Sequence, residues 1–389
     1  MRILHLANHA HNIGNGIVNV MVDLACVQAR AGHEVTVASS GGGFEPLLER
    51  EGVRHVWLPQ APKPRLVPSM VARLNRLVAE RDPEVVHAHM MSGALMARFG
   101  VLRRRYALVT TVHNEFQKSA SLMRVGDRVV GVTDAVTALM AKRGIPEHKL
   151  TAVLNGTIGT PRLADAPLPE LPGLGRLNIV TICGMYYRKG IPELLRAFAR
   201  LSARLSEAEL YLVGDGPDRA DFEVLARELG IDARVHFAGF VADPRGYLAQ
   251  ADVFVLASHR EPAGLVLSEA REAGCAIVAT AVDGIPEMLD HGEAGVLVPA
   301  QDETALADAI ERLLTDEAAH AALVARARRN LERFDVRRVS AEYLAVYDEA
   351  CAALAARRRQ GRRVPTPTSA LRNAMPAALP GAEQDGVAH

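Results

Sequence analysis

The stretch VFVLA, residues 253–257, is followed by EPAGLVLSE, residues 261–269, then by Gly274 and by IVAT, residues 277–280. The two flanking runs are short, apolar and β-branched, and read as strands. The segment between them reads as a loop carrying Glu261 and a helix carrying Glu269. Strand, loop, helix and strand make one unit of a parallel sheet, with ligands expected at the carboxyl ends of its strands. One carboxylate thus stands at the sheet edge and the second inside the helix. Gly264 and Leu265 fall where that helix begins. Its first backbone N–H groups lack partners and carry partial positive charge. Amides for phosphates and carboxylates for hydroxyls suit a phosphorylated sugar. Glu269 sits among Leu265, Val266, Leu267 and Ala270. A carboxylate in such surroundings needs a partner, and a ribose diol supplies two donors.

The same rhythm runs outward in both directions. Strand-like runs fall at 3–7, 34–38, 53–58, 85–89, 108–111 and 128–132, with helical periodicity at 18–30, 71–80 and 135–142. Residues 160–175, TPRLADAPLPELPGLG, carry four prolines and two glycines without a period and read as a linker. Strand runs resume at 178–182, 210–213, 235–237, 253–257, 277–280 and 295–298, and residues 303–358 read as helical throughout. The expected architecture is α/β, two tandem doubly wound Rossmann-like domains facing across a cleft: residues 1–165, then 174–336. The segment from Gly361 to His389 has no apolar period and is expected to be a disordered tail.

The chain has 389 residues and no net charge, yet the balance is uneven. Residues 1–165 carry 20 Lys and Arg against 13 Asp and Glu, a net of +7; residues 166–389 carry 25 against 32, a net of −7. Either an anionic partner or attraction between the lobes accounts for this. Four scattered cysteines make neither a metal spacing nor a disulfide framework, which points to a reducing cytoplasm. The opening MRILHLANHA reads as a strand rather than a signal peptide, and no apolar run reaches the roughly 18–20 residues of a membrane helix.

The residues that follow each strand are the candidates for a site. Gly14 and Gly16, in HAHNIGNGIVN, permit close approach of backbone to a phosphate or an acceptor. The third glycine of a dinucleotide fingerprint is replaced by Asn19, and Ser39 and Ser40 stand where its acid belongs. His113 ends a strand of Val and Thr and is expected to reach a sugar hydroxyl in the cleft. The alternation of HAH is read as sending His87 and His89 to opposite faces, so packing or capping is expected of them rather than a metal. Arg188 and Lys189 precede a helix start at Ile191 and Pro192, where a cation neutralises a diphosphate. A P-loop, a D-x-D metal device and a G-x-S-x-G elbow are all missing.

Taken together, Glu261 to Glu269 resemble the E-x7-E signature of the retaining GT-B glycosyltransferases, the group 1 or GT4 family. The resemblance extends through Gly274, Val278 to Thr280, Gly284-Ile285-Pro286-Glu287 and Gly295 to Val298, and through Lys189-Gly190, Gly214 to Pro217, Asn155-Gly156 and Gly32 to Val35. It implies a nucleotide-sugar donor bound by the second domain, an acceptor bound by the first, no cofactor and no metal. It further implies that Glu269 holds the ribose and that Glu261, with the amides of Ala263, Gly264 and Leu265, holds the sugar and distal phosphate. Lys189 would contact the diphosphate, His113 the transferred sugar, and Gly214 and Asn155 the rest of the site. The helix at 337–358 would cross back onto the first domain. One departure stands out: the family writes an arginine where this chain has Met185, and Arg188 is the substitute at hand.

The reading is therefore a metal-independent, retaining transferase acting in bacterial glycan or glycoconjugate synthesis, with a carbohydrate, lipid-linked or small-molecule acceptor and no nucleic acid. The alternatives are a GT-B epimerase or phosphorylase, and a nucleotide-binding protein without catalysis. Met90 to Tyr106, with Arg98, Arg103, Arg104 and Arg105, and the basic stretch of Arg65, Arg73 and Arg76 suggest an anionic membrane surface as partner. The expected location is cytoplasmic, peripheral to the inner membrane.

Overall fold

Runs such as Leu108-Val109-Thr110-Thr111-Val112 do not alternate, because a parallel sheet is covered by helices on both faces. A computed structural model of the chain describes residues 1–60, 67–102, 104–116, 118–164, 166–171 and 173–359. In it those runs form two parallel sheets. The first has seven strands, β1 (Arg2–Leu6), β2 (Glu34–Ser39), β3 (Arg54–Trp57), β4 (Val85–Ala88), β5 (Ala107–Val112), β6 (Arg128–Gly131) and β7 (Leu150–Ala152), in the order β3-β2-β1-β4-β5-β6-β7. The second has six, β8 (Asn178–Ile182), β9 (Glu209–Val213), β10 (Val235–Gly239), β11 (Val253–Leu256), β12 (Ala276–Thr280) and β13 (Val296–Val298), in the order β10-β9-β8-β11-β12-β13. Each order reverses direction once, between β1 and β4 and between β8 and β11, and such switch points open crevices for ligands. The two crevices face each other.

The segment expected to be helical throughout 303–358 is interrupted. Asp316 ends one helix (Glu303–Thr315) and caps the next (Glu317–Ala327) by accepting from Ala319 N at 2.9 Å. An aspartate competes well for such a position because its carboxylate replaces the missing backbone partner. The last helix, Val336–Arg359, leaves the second sheet altogether. Its Val339, Tyr343, Val346, Tyr347, Ala350 and Leu354 are buried in one cluster with Ile3, Val85, Val109 and the helix Gly16–Arg30. The chain therefore passes between the lobes twice. At the crossing Ile158 N donates to Phe334 O at 3.0 Å and Val336 N to Ile158 O at 2.9 Å.

Two expectations change. Residues two apart on a strand share a face, so His87 and His89 lie together rather than opposed, with ring centroids 4.0 Å apart and His5 5.3 Å from each. In Met90–Tyr106 two of the arginines are used internally, while Arg105 is exposed: Arg104 grips Asp127 with two bonds of 2.7 and 3.1 Å, and Arg98 stands 3.7 Å from the same carboxylate. Tyr106 is fully buried and donates to Ala97 O at 2.6 Å. Arg65, Arg103 and the segment 361–389 lie outside the described residues.

Gly156 tests the double crossing. A Cβ there would fall 2.2 Å from Phe334 O, a backbone atom that cannot rotate away. Overpacking of this kind costs about 1–3 kcal/mol. Gly156→Ala should therefore lower the Tm by several degrees in a thermal melt, and an unchanged Tm would show the crossing to be pliable.

Candidate active site

The glutamate loop works because its ends are tied. Glu261 N donates to Asp283 Oδ2 at 2.9 Å, and Gly284 N donates back to Glu261 O at 3.0 Å. This holds the loop over the carboxyl ends of β11 and β12. The Glu261 side chain is buried and accepts a hydrogen bond from Lys189 Nζ, with Ser258 Oγ at 3.4 Å from the same oxygen. Lys189 is placed by the adjacent turn. Gly190 adopts φ +68°, and a Cβ would meet Ala257 O at 1.9 Å, so only glycine lets the β8 loop pack against the end of β11. The helix that follows, Ile191–Ser202, has no side-chain cap, and neither has the glutamate helix, Val266–Ala273. Both N-termini keep open donors.

Between the sheets lies a cavity of ≈ 540 Å³. From the first domain it is lined by Gly14, Gly16, His113 and Asn155. From the second it is lined by Arg188, Lys189, Gly214, Glu261, Ala263, Gly264, Leu265 and Glu269. All twelve residues singled out in the sequence thus surround one space. Met185 does not: its side chain is fully buried in the second domain's core. Arg188 lines the cavity instead, its guanidinium 5.0 Å from the Phe116 ring and 5.1 Å from that of Tyr186.

Electrostatics divide the two glutamates. Glu261 has its ammonium partner. Burial pushes the Glu269 carboxyl up to about 7, against the pull of Arg162. Burial also pushes His113 down to about 3, so its imidazole is neutral. Arg162 was read only as part of a linker. It holds Asp23 at 2.9 and 3.1 Å and lines the cavity near Glu269. The signal was Asp23 itself, an acid within the apolar run VMVDLAC, since a buried charge requires an opposite one. Asn19, Phe240 and Arg245 also line the cavity and were not anticipated.

The lobes meet at this site. Thr133 Oγ1 donates to Pro262 O at 2.9 Å, Asp134 N to Glu287 Oε2 at 2.7 Å, and Thr157 and Ser268 share a hydroxyl contact of 2.8 Å. Two facing Rossmann-like sheets with uncapped helix N-termini and carboxylates in the intervening cleft define a GT-B protein. Residues 14–157 match Glycosyltransferase Family 4, and residues 176–316 match Glycosyl transferases group 1. The chain is 30% identical over 369 residues to a phosphatidyl-myo-inositol mannosyltransferase of Mycolicibacterium smegmatis, covering 90% of this chain and 94% of that one. It is 36% identical to N-acetyl-alpha-D-glucosaminyl L-malate synthase of Bacillus anthracis over 41% of this chain and 42% of the other. Among solved structures, Anabaena HepE with UDP and glucose superposes at a TM-score of 0.77, with 21% identity over 90% and 99% of the two chains. Sucrose-phosphate synthase of Thermosynechococcus elongatus gives 0.75, with 22% identity over 90% and 99%. The chain belongs to the group 1, family 4 glycosyltransferases of the GT-B fold. It is an enzyme of the class that draws its sugar from a nucleotide-diphosphate donor, a chemistry typically run without a metal.

The raised carboxyl of Glu269 makes a pH prediction. Unfolded it titrates near 4.5, folded near 7. The folded state holds the extra proton between these values, so the stability from the neutral form is complete below about 4.5 and is lost as pH rises through about 7. Glu269→Gln removes this dependence. In melts without nucleotide, the variant should gain on the wild type between about pH 5 and pH 8.5, whereas a constant gap would mean that Glu269 is ionised throughout.

Proposed function

We propose that this chain is a retaining glycosyltransferase that moves a sugar from a nucleotide-diphosphate donor to an acceptor hydroxyl in bacterial glycan or glycoconjugate assembly. The observation that carries the reading is the Lys189–Glu261 pair between two open helix N-termini, with His113 opposite on the other lobe. In this arrangement Glu269 accepts from the ribose hydroxyls. Glu261 and the amides of Ala263 to Leu265 hold the sugar and distal phosphate. Lys189 and Arg188 meet the charge that grows on the departing diphosphate, in place of a metal. The acceptor oxygen attacks the face from which the diphosphate leaves, and a diphosphate oxygen takes its proton. The sugar's anomeric configuration is thereby kept. Contacts between the lobes exclude water at the moment of transfer.

Removing one donor to a developing anionic charge costs about 100- to 1000-fold in rate. Lys189→Ala should lower kcat by about that factor with little change in the Kd of the free nucleoside diphosphate. An unchanged kcat would remove Lys189 from catalysis. The reaction itself is tested by following the anomeric proton of donor and product by NMR with and without acceptor. Inverted product excludes the mechanism, and epimerised or free sugar released without acceptor excludes the transferase.

The end-to-end likeness to phosphatidyl-myo-inositol mannosyltransferases favours an acceptor borne on a lipid. The surface that would meet an anionic bilayer is the helix Val67–Arg81, where Arg73 and Arg76 are exposed beside Trp57, itself 53% exposed. Arg73 lies 4.4 Å over the Trp57 ring, pairing a cation with an amphipathic aromatic. The protein should float with liposomes containing phosphatidylglycerol, and the double change Arg73→Glu and Arg76→Glu should abolish flotation. Equal flotation of the variant would place the contact elsewhere.

A further inference from the structure

Behind the cleft, the first sheet buries polar groups that the proposed chemistry does not use. Gln28, on the helix Gly16–Arg30, is fully buried. Its Oε1 lies 2.9 Å from His5 Nε2, and its Nε2 donates to Tyr347 OH at 3.4 Å. An amide oxygen only accepts, so His5 Nε2 carries the hydrogen. Burial keeps His5 neutral, with its pKa pushed down to about 4, so its other nitrogen is a bare acceptor. That nitrogen faces His89 Nε2 at 3.0 Å, which must donate. His89, held neutral by the same burial, is then bare at Nδ1, 3.1 Å from His113 Nε2. His113 therefore carries its hydrogen on Nε2, and Nδ1 is the nitrogen left as an acceptor.

The other end of the carboxamide closes in the same sense. Tyr347 OH, having accepted from Gln28, donates to His87 Nδ1 at 2.6 Å. His87 Nε2 then donates to Thr111 Oγ1 at 2.7 Å. Thr111 donates to Tyr343 OH at 3.3 Å, and Tyr343 to Asn155 Oδ1 at 3.5 Å. Both branches end on residues that line the cleft, His113 and Asn155. Turning Gln28 over would reverse every bond and require the Asn155 amide to turn with it. The imidazoles of His5, His87 and His89 come within 4.8 Å of one another, as metal ligands would. All six of their nitrogens are already engaged in this chain, which leaves no lone pair for an ion.

We propose that Gln28 is a positioning residue that, through His5 and His89, fixes one tautomer of His113, so that the imidazole meets the donor sugar as an acceptor of a sugar hydroxyl through Nδ1. The inference rests on the reading of His113 as the sugar contact. Its own content, a single tautomer set from a buried amide 23 residues from His5 in sequence, stands apart from catalysis.

Two-bond ¹H–¹⁵N correlation spectra of the full-length protein, labelled on histidine and assigned with His113→Gln, read the tautomer directly. The wild type should show His113 protonated at Nε2 alone. Gln28→Leu should mix the tautomers and lower kcat about tenfold, with the Kd for free nucleoside diphosphate unchanged. Gln28→Glu, which keeps an oxygen facing His5, should restore the single tautomer and most of the rate. A wild-type His113 protonated at Nδ1 overturns the relay, whatever the enzyme transfers. Mixed tautomers in Gln28→Leu with an unchanged kcat leave the relay intact and overturn the sugar contact, and with it the positioning role.

Discussion

A carboxylate that enters the crevice between two sheets gives up its water, and the two glutamates of this site replace it by different means. Glu261 takes the ammonium of Lys189. Glu269 has only the more distant field of Arg162 and is pushed towards its neutral form. The consequence is an asymmetry in what each asks of a ligand. Glu261 already has a charge partner, so a phosphate arriving beside it meets a lysine whose position is set. Glu269 has unmet acceptor capacity in an apolar wall, which neutral hydroxyl donors satisfy without bringing in a second charge. Under the proposed function, one end of the cleft is thereby fitted to a diphosphate and the other to a polyol.

This arrangement requires that the lobes be held in register. Two passes of chain do so. One carries Thr160 and Arg162, both bonded to Asp23 on the first helix of the first domain. The other runs past Gly156 into the final helix, which sinks two tyrosines into the first domain. Arg162 therefore belongs to the crossing and to the wall of the site at once, and its charge, held by the first domain's Asp23, acts on the Glu269 carboxyl of the second. The glutamate loop adds direct contacts through Pro262 and Ser268, so the lobes touch where the ligand would sit rather than at a distant surface.

Much of this was legible in the chain. Strand runs separated by helical periods gave the two sheets, because burial on both faces leaves a continuous apolar signature. The residues after each strand gave the lining of the cleft, because open parallel sheets leave their crevice at that edge. What escaped was carried by pairs distant in sequence. Arg98 and Arg104 look like surface cations until Asp127 is folded against them. Arg162 looks like linker until Asp23 is recognised as a buried acid. Met185 looked like a lost phosphate ligand, yet its side chain belongs to the core and the cavity is served by Arg188 three residues on. The histidines were misjudged for a simpler reason: the period of a strand is two, so His87 and His89 had to share a face.

That shared face explains why the fold keeps so many polar groups inside it. Buried imidazoles cost stability unless each nitrogen is bonded, and apolar residues of similar size would fill the space as well. A hydrogen-bond chain has one property an apolar core lacks, which is direction. Neutral histidine is symmetric enough that an isolated ring at the cleft would populate both tautomers. Coupling it to a carboxamide, whose oxygen cannot donate, removes that freedom at every link. The tyrosines that complete the chain come from the final helix, so the segment that ties the lobes together also anchors the other end of the carboxamide and carries its direction to Asn155.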